Sequence, residues 1–129
     1  MFINSLSSVQ QSAFLSIANQ LVSIDGDVDK SERVLMRLYK SQMNVGVVEV
    51  ECLFESLPLI FDDHKSKMVL IIELIGLACV DGDYDRDEKA FLLEVSGILD
   101  INNAKVVKCE EWVERQIALV DEANIIMGV

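Results

Sequence analysis

Proline occurs once, at Pro58, and histidine once, at His64, in a chain of 129 residues. Aromatic side chains make up only 6% of it, while half its residues are apolar. A many-stranded β-sandwich needs more turn residues and more β-branched alternation than this, so packed helices are the class the composition favours. Positive charge is also scarce. Eleven Lys and Arg stand against 22 Asp and Glu, for a formal net charge of −11. Nucleic acid and anionic membrane surfaces would repel such a chain, which leaves cations, basic protein surfaces or mere solubility as the reason for the charge. Cys52, Cys79 and Cys109 show no CxxC or Cys/His spacing, so neither a zinc cluster nor a disulfide framework is expected. Met1 to Ser5 holds no basic region ahead of an apolar stretch, and a cytoplasmic location is the expectation.

The most apolar run, Met68 to Val80, is too short to span a bilayer, contains Glu73 and ends in an aspartate cluster, so it reads as a buried central helix. Sliding the chain along itself shows why that cluster matters. A shift of 56 positions aligns residues 14–57 with 70–113 without a gap, and DGDVDKSE at 25–32 recurs as DGDYDRDE at 81–88. Identities include Leu21/Leu77, Val50/Val106 and Glu55/Glu111 outside the loop. The chain is therefore expected to be one all-α domain over 1–129, a bundle of six to seven helices made of two tandem helix–acidic loop–helix halves.

Helical spacing places Phe14, Ile17, Ala18, Leu21 and Val22 on a first helix capped by Ser7 or Ser8 and ending near Ile24. A second, from Lys30 to Met43, presents Val34, Leu35, Leu38 and Tyr39, and a third is expected near Val47–Ser56, stopping before Pro58. In the second half Asp62 or Asp63 caps the central helix, and Arg86–Leu99 follows with Phe91, Leu92, Val95, Ile98 and Leu99 inward. Asn102 or Asn103 then starts a long helix to about Val120, and Asn124–Val129 would dock as a short seventh piece.

The acidic loops admit two readings. Gly26 and Gly82 supply a positive φ at the reversal, while Asp29-x-x-Glu32 and Asp85-x-x-Glu88 have capping-box spacing. Capping does not require Asp25, Asp27, Asp81 or Asp83. The second reading adds a divalent cation, Ca²⁺, Mg²⁺ or Mn²⁺, held by Asp25, Asp27, Asp29 and Glu32 and by Asp81, Asp83, Asp85 and Glu88, either in a site shorter than a calcium loop or in one shared by the two loops facing each other across a pseudo-twofold. The loop is not an EF-hand: glycine stands second instead of sixth, and glutamate eighth instead of twelfth.

A hydrophobic helix running into an Asp-Gly acidic motif and then an amphipathic helix, twice over, resembles the TerB-like family, which takes in tellurite-resistance proteins and the N-terminal domain of DjlA-type co-chaperones. The resemblance implies a helical fold and a tellurite-type stress-response role. It also implies a divalent-metal or charged-partner site at Asp25, Gly26, Asp27, Asp29 and Glu32 and at Asp81, Gly82, Asp83, Asp85 and Glu88. Ser23-Ile24 and Cys79-Val80 stand where the family usually has Ala-Ala, and no HPD tripeptide follows.

No GxSxG, P-loop, HExxH or dinucleotide fingerprint is present, and His64 beside Asp62, Asp63 and Lys65 reads as a solvated helix start. Glu73, inside an apolar helix, calls for a cationic partner or a wet edge. A non-enzymatic protein is expected. It would meet a basic protein surface or a stress-response complex, and a membrane only through such partners. The rival reading is an adaptor whose acidic loops are helix caps and nothing more.

Overall fold

A computed structural model describes residues 1–24, 26 and 28–129. Among them are six α-helices and no strand: α1 Ser8–Val22, α2 Lys30–Gln42, α3 Leu57–Ile60, α4 His64–Cys79, α5 Arg86–Ile98 and α6 Asn103–Met127. Short 3₁₀ turns precede α1 at Ile3–Ser5 and α3 at Phe54–Ser56. The chain is an all-α bundle.

α1 and α4, the equivalent helices of the two halves, pack on each other at the centre and are apolar on most of their faces. Phe14, Ile17, Leu21, Leu70, Ile71, Leu74, Ile75 and Leu77 are all buried. A helix apolar all round is stable only when its neighbours cover it. α4 supplies that cover most widely, touching α1, α2, α5 and α6.

Helix starts follow from side-chain chemistry. Ser7 with Gln10, Asp29 with Glu32, and Asp85 with Glu88 form reciprocal capping boxes, while Asp63 and Asn102 cap α4 and α6 with single bonds. The bounds of α2 and α5 are related by the same 56-residue shift as the loops.

The halves diverge in their third elements. The helix expected at 47–56 does not form. Residues 47–53 are irregular, Gly46 holds a positive φ of 84°, and the amide of Cys52 donates to Ser16 Oγ of α1 at 3.0 Å. Pro58 is the second residue of α3 instead of following a helix, because a proline in the first turn sacrifices no hydrogen bond. The seventh piece is also absent. α6 runs unbroken to Met127 and stops at Gly128, whose φ of 77° lets Gly128 and Val129 close on Ile125 and Asn124. Its last turns project from the bundle with Ile125, Ile126 and Met127 exposed. No helix of the described residues is long and apolar enough to cross a membrane.

Buried polar side chains tie the remaining segments down. Gln11, fully buried, donates to the carbonyls of Ile3 and Leu6 and accepts from the amide of Asn44. Glu73 of α4 finds its cation at the chain's own amino group, 3.1 Å from Oε2, and accepts the Phe2 amide at Oε1. Tyr39 reaches the Glu73 carbonyl from α2.

Candidate functional site at the acidic loops

Each acidic loop begins where a central helix ends. The amide of Gly26 closes on the Ser23 carbonyl and that of Gly82 on Cys79, and both glycines take a left-handed φ, 88° and 83°. That conformation turns the chain out of the core and aims it at the next helix, as expected at a position where a Cβ would be strained. Three residues on, the capping boxes take over. Asp29 Oδ1 accepts from the Glu32 amide at 2.8 Å while Glu32 Oε1 accepts from the Asp29 amide at 3.1 Å, and Asp85 and Glu88 repeat both distances.

Because α1 and α4 lie side by side, their loops emerge together. Asp29 and Glu32 of the first loop and Asp81 of the second each offer a carboxylate oxygen, and the three oxygens lie within 4.8 Å of one another. Glu32 is buried, Asp29 half-buried and Asp81 exposed. Glu88 adjoins the group. Its side chain is buried, and desolvation first, then the carboxylates of Asp85, Asp81 and Glu32, push its pKa up to about 7 against the favourable hydrogen bond from Asp85. The two loops thus approach each other at Asp29, Glu32 and Asp81, with Glu88 in the electrostatic reach of Asp81 and Glu32. Asp83 and Asp85 fall outside the triad. Asp85 is committed to its cap, and Asp83 contributes its backbone amide, which donates to Asp81 Oδ1 at 2.9 Å. Asp25 and Asp27 lie outside the described residues.

All three oxygens of the triad are hard donors, with no nitrogen or sulfur ligand among them. Such a set suits Ca²⁺, Mg²⁺ or Mn²⁺ and not a soft metal. The nearest thiol, Cys79, is pushed up to about 11 by burial and by Glu114, Glu110, Glu88 and Asp81, so it is neither a ready nucleophile nor a ready ligand. His64 is the exposed first residue of α4.

A second feature adjoins the loops and was not anticipated. α2, α4 and α6 enclose an apolar groove of about 580 Å³ that runs past Trp112 and Gly76 to Cys79 and Val80, where the second acidic loop begins. Leu38, expected to face the core, lines it and is 48% exposed.

No protein-family model, curated protein or solved structure matches this chain.

Proposed function

We propose that the chain is a non-enzymatic, divalent-cation-responsive helical module, in which one ion bridges the two acidic loops through Asp29, Glu32 and Asp81. The observation that carries this reading is the approach of those three carboxylates, from both halves of the repeat, to within 4.8 Å. Capping accounts for Asp29 and Glu32 by themselves, but it does not call for a third carboxylate from the other loop. A cation there would offset the mutual repulsion, and the remaining ligands of a six- to eight-coordinate ion would come from water and backbone carbonyls. By joining the ends of α1 and α4 to the starts of α2 and α5, the ion would stiffen the bundle at one pole. The TerB-like stress-response role rests on the doubled Asp-Gly motif alone.

Thermal unfolding in EDTA and in millimolar Ca²⁺, Mg²⁺ or Mn²⁺ tests the proposal. At a concentration a hundred times Kd, bound ion stabilises the folded chain by about 2.7 kcal/mol. Asp81→Asn should abolish the rise in Tm on adding ion, and in EDTA it should raise Tm slightly, because it removes one of the mutually repelling carboxylates. Superimposable curves in EDTA and in all three ions would defeat the reading.

A further inference from the structure

We infer that the apolar groove between α2, α4 and α6 is a docking site for a basic amphipathic helix of a partner protein, independently of any ion at the loops. The groove has the chemistry of helix-in-groove recognition: an apolar floor beneath a row of side chains that an i, i+3/i+4, i+7 stripe can fill. Leu35 and Leu38 of α2 face Trp112, Ile117 and Val120 of α6 across it, and Gly76 of α4 forms the floor. A Cβ added at Gly76 meets only the Tyr39 hydroxyl, at 4.0 Å, so the backbone there is open to a guest side chain. Two of the apolar side chains that line it, Leu38 and Val120, are each about half exposed, and exposed apolar surface gathered in one place marks an interaction site.

Charge selects the occupant. Among the residues lining the groove the charged groups are the amino group of Met1 and Glu73, which neutralise each other, and Asp121, which is left as the net charge; no Lys, Arg or His is among them. At the loop end, Cys79 in the wall lies in the field of Glu114, Glu110, Glu88 and Asp81, with Lys89 answering only Glu110. The chain as a whole carries −11. A helix whose apolar stripe is flanked by Lys and Arg would bury the stripe and set its charges beside these carboxylates, gaining association rate as well as affinity. A second copy of this chain fits less well. The apolar end of α6 that it could insert carries Asp121 and Glu122, which would face Asp121 and the acidic loop of the first copy.

The test uses the whole protein in EDTA and reads the emission of Trp112, the sole tryptophan, in the groove itself. The probe is a synthetic helix of about 16 residues with leucines at i, i+4, i+7 and i+11 and lysines elsewhere. Its controls are a scrambled peptide of the same composition and a twin with glutamate replacing lysine. The leucine–lysine helix should shift Trp112 emission saturably, while the scrambled and acidic peptides leave it unmoved. Raising salt should weaken binding about tenfold. Gly76→Phe should abolish the shift by filling the floor. Leu38→Ser, at an exposed position that leaves the fold intact by circular dichroism, should weaken binding about tenfold. Equal binding by the scrambled peptide, or full binding by both variants, would overturn the proposal. So would a dimer in sedimentation that Leu38→Ser dissociates, because the groove would then belong to a second copy.

Discussion

A carboxylate in the first turn of a helix normally gains by ionising, because the unpaired amides there donate to it. At Glu88 the balance goes the other way. Burial and the carboxylates of Asp85, Asp81 and Glu32 outweigh the cap bond, raising the pKa from 4.5 to about 7. Between those values the folded chain binds a proton that the unfolded chain has released. This group's contribution to stability is therefore complete below about pH 4.5 and is lost as pH rises through about 7. Glu88→Gln keeps the capping geometry, since glutamine serves equally at that position. In EDTA its Tm, measured against that of the unsubstituted chain, should climb as pH goes from 4.5 to about 8. A difference independent of pH would show that Glu88 does not titrate in that range.

The boundaries of α2 and α5 are set by their caps, and the caps are single side chains. Asp85→Ala removes the acceptor 2.8 Å from the Glu88 amide and should cost about 1 kcal/mol in urea unfolding, with Asp29→Ala costing a similar amount at α2. Gly97 of α5 is the counterpart. A Cβ there meets nothing within 4 Å, so Gly97→Ala should stabilise the chain by about 0.5–1 kcal/mol. Local chemistry of this kind is why α2 and α5 were legible in the sequence almost to the residue, Lys30–Gln42 and Arg86–Ile98 against the expected Lys30–Met43 and Arg86–Leu99. The 47–53 segment was not legible, because the amide of Cys52 is held by Ser16 of α1, a partner far along the chain that apolar spacing cannot reveal. Leu38 and Val34, read with Leu35 and Tyr39 as one apolar face of α2, are each about half exposed, so that face is wider than the part the bundle buries. The candidate site was half legible: the doubled motif named the carboxylates, and only the packing of α1 on α4 brought Asp29, Glu32 and Asp81 together from the six of them that the structure describes.

Across the whole molecule, burial concentrates in α4 and thins toward the end of α6. Opening α4 would break its contacts with α1, α2, α5 and α6 at once, whereas the last turns of α6 have almost no tertiary cover. Native-state hydrogen exchange should therefore find the amides of Leu70–Leu77 protected to the level of global unfolding and those of Asn124–Met127 exchanging by local fraying. Comparable protection in the two stretches would contradict this distribution of packing. The Phe2 amide completes the assembly from a distance, since its acceptor on Glu73 lies 71 residues away. Closing so long a loop costs entropy that only an already ordered acceptor can repay. The strap at Phe2–Leu6 is thus expected to act as a latch on a folded bundle, engaging after α1 and α4 have condensed, so that Glu73→Gln should speed unfolding in stopped-flow denaturant jumps and change the folding rate little.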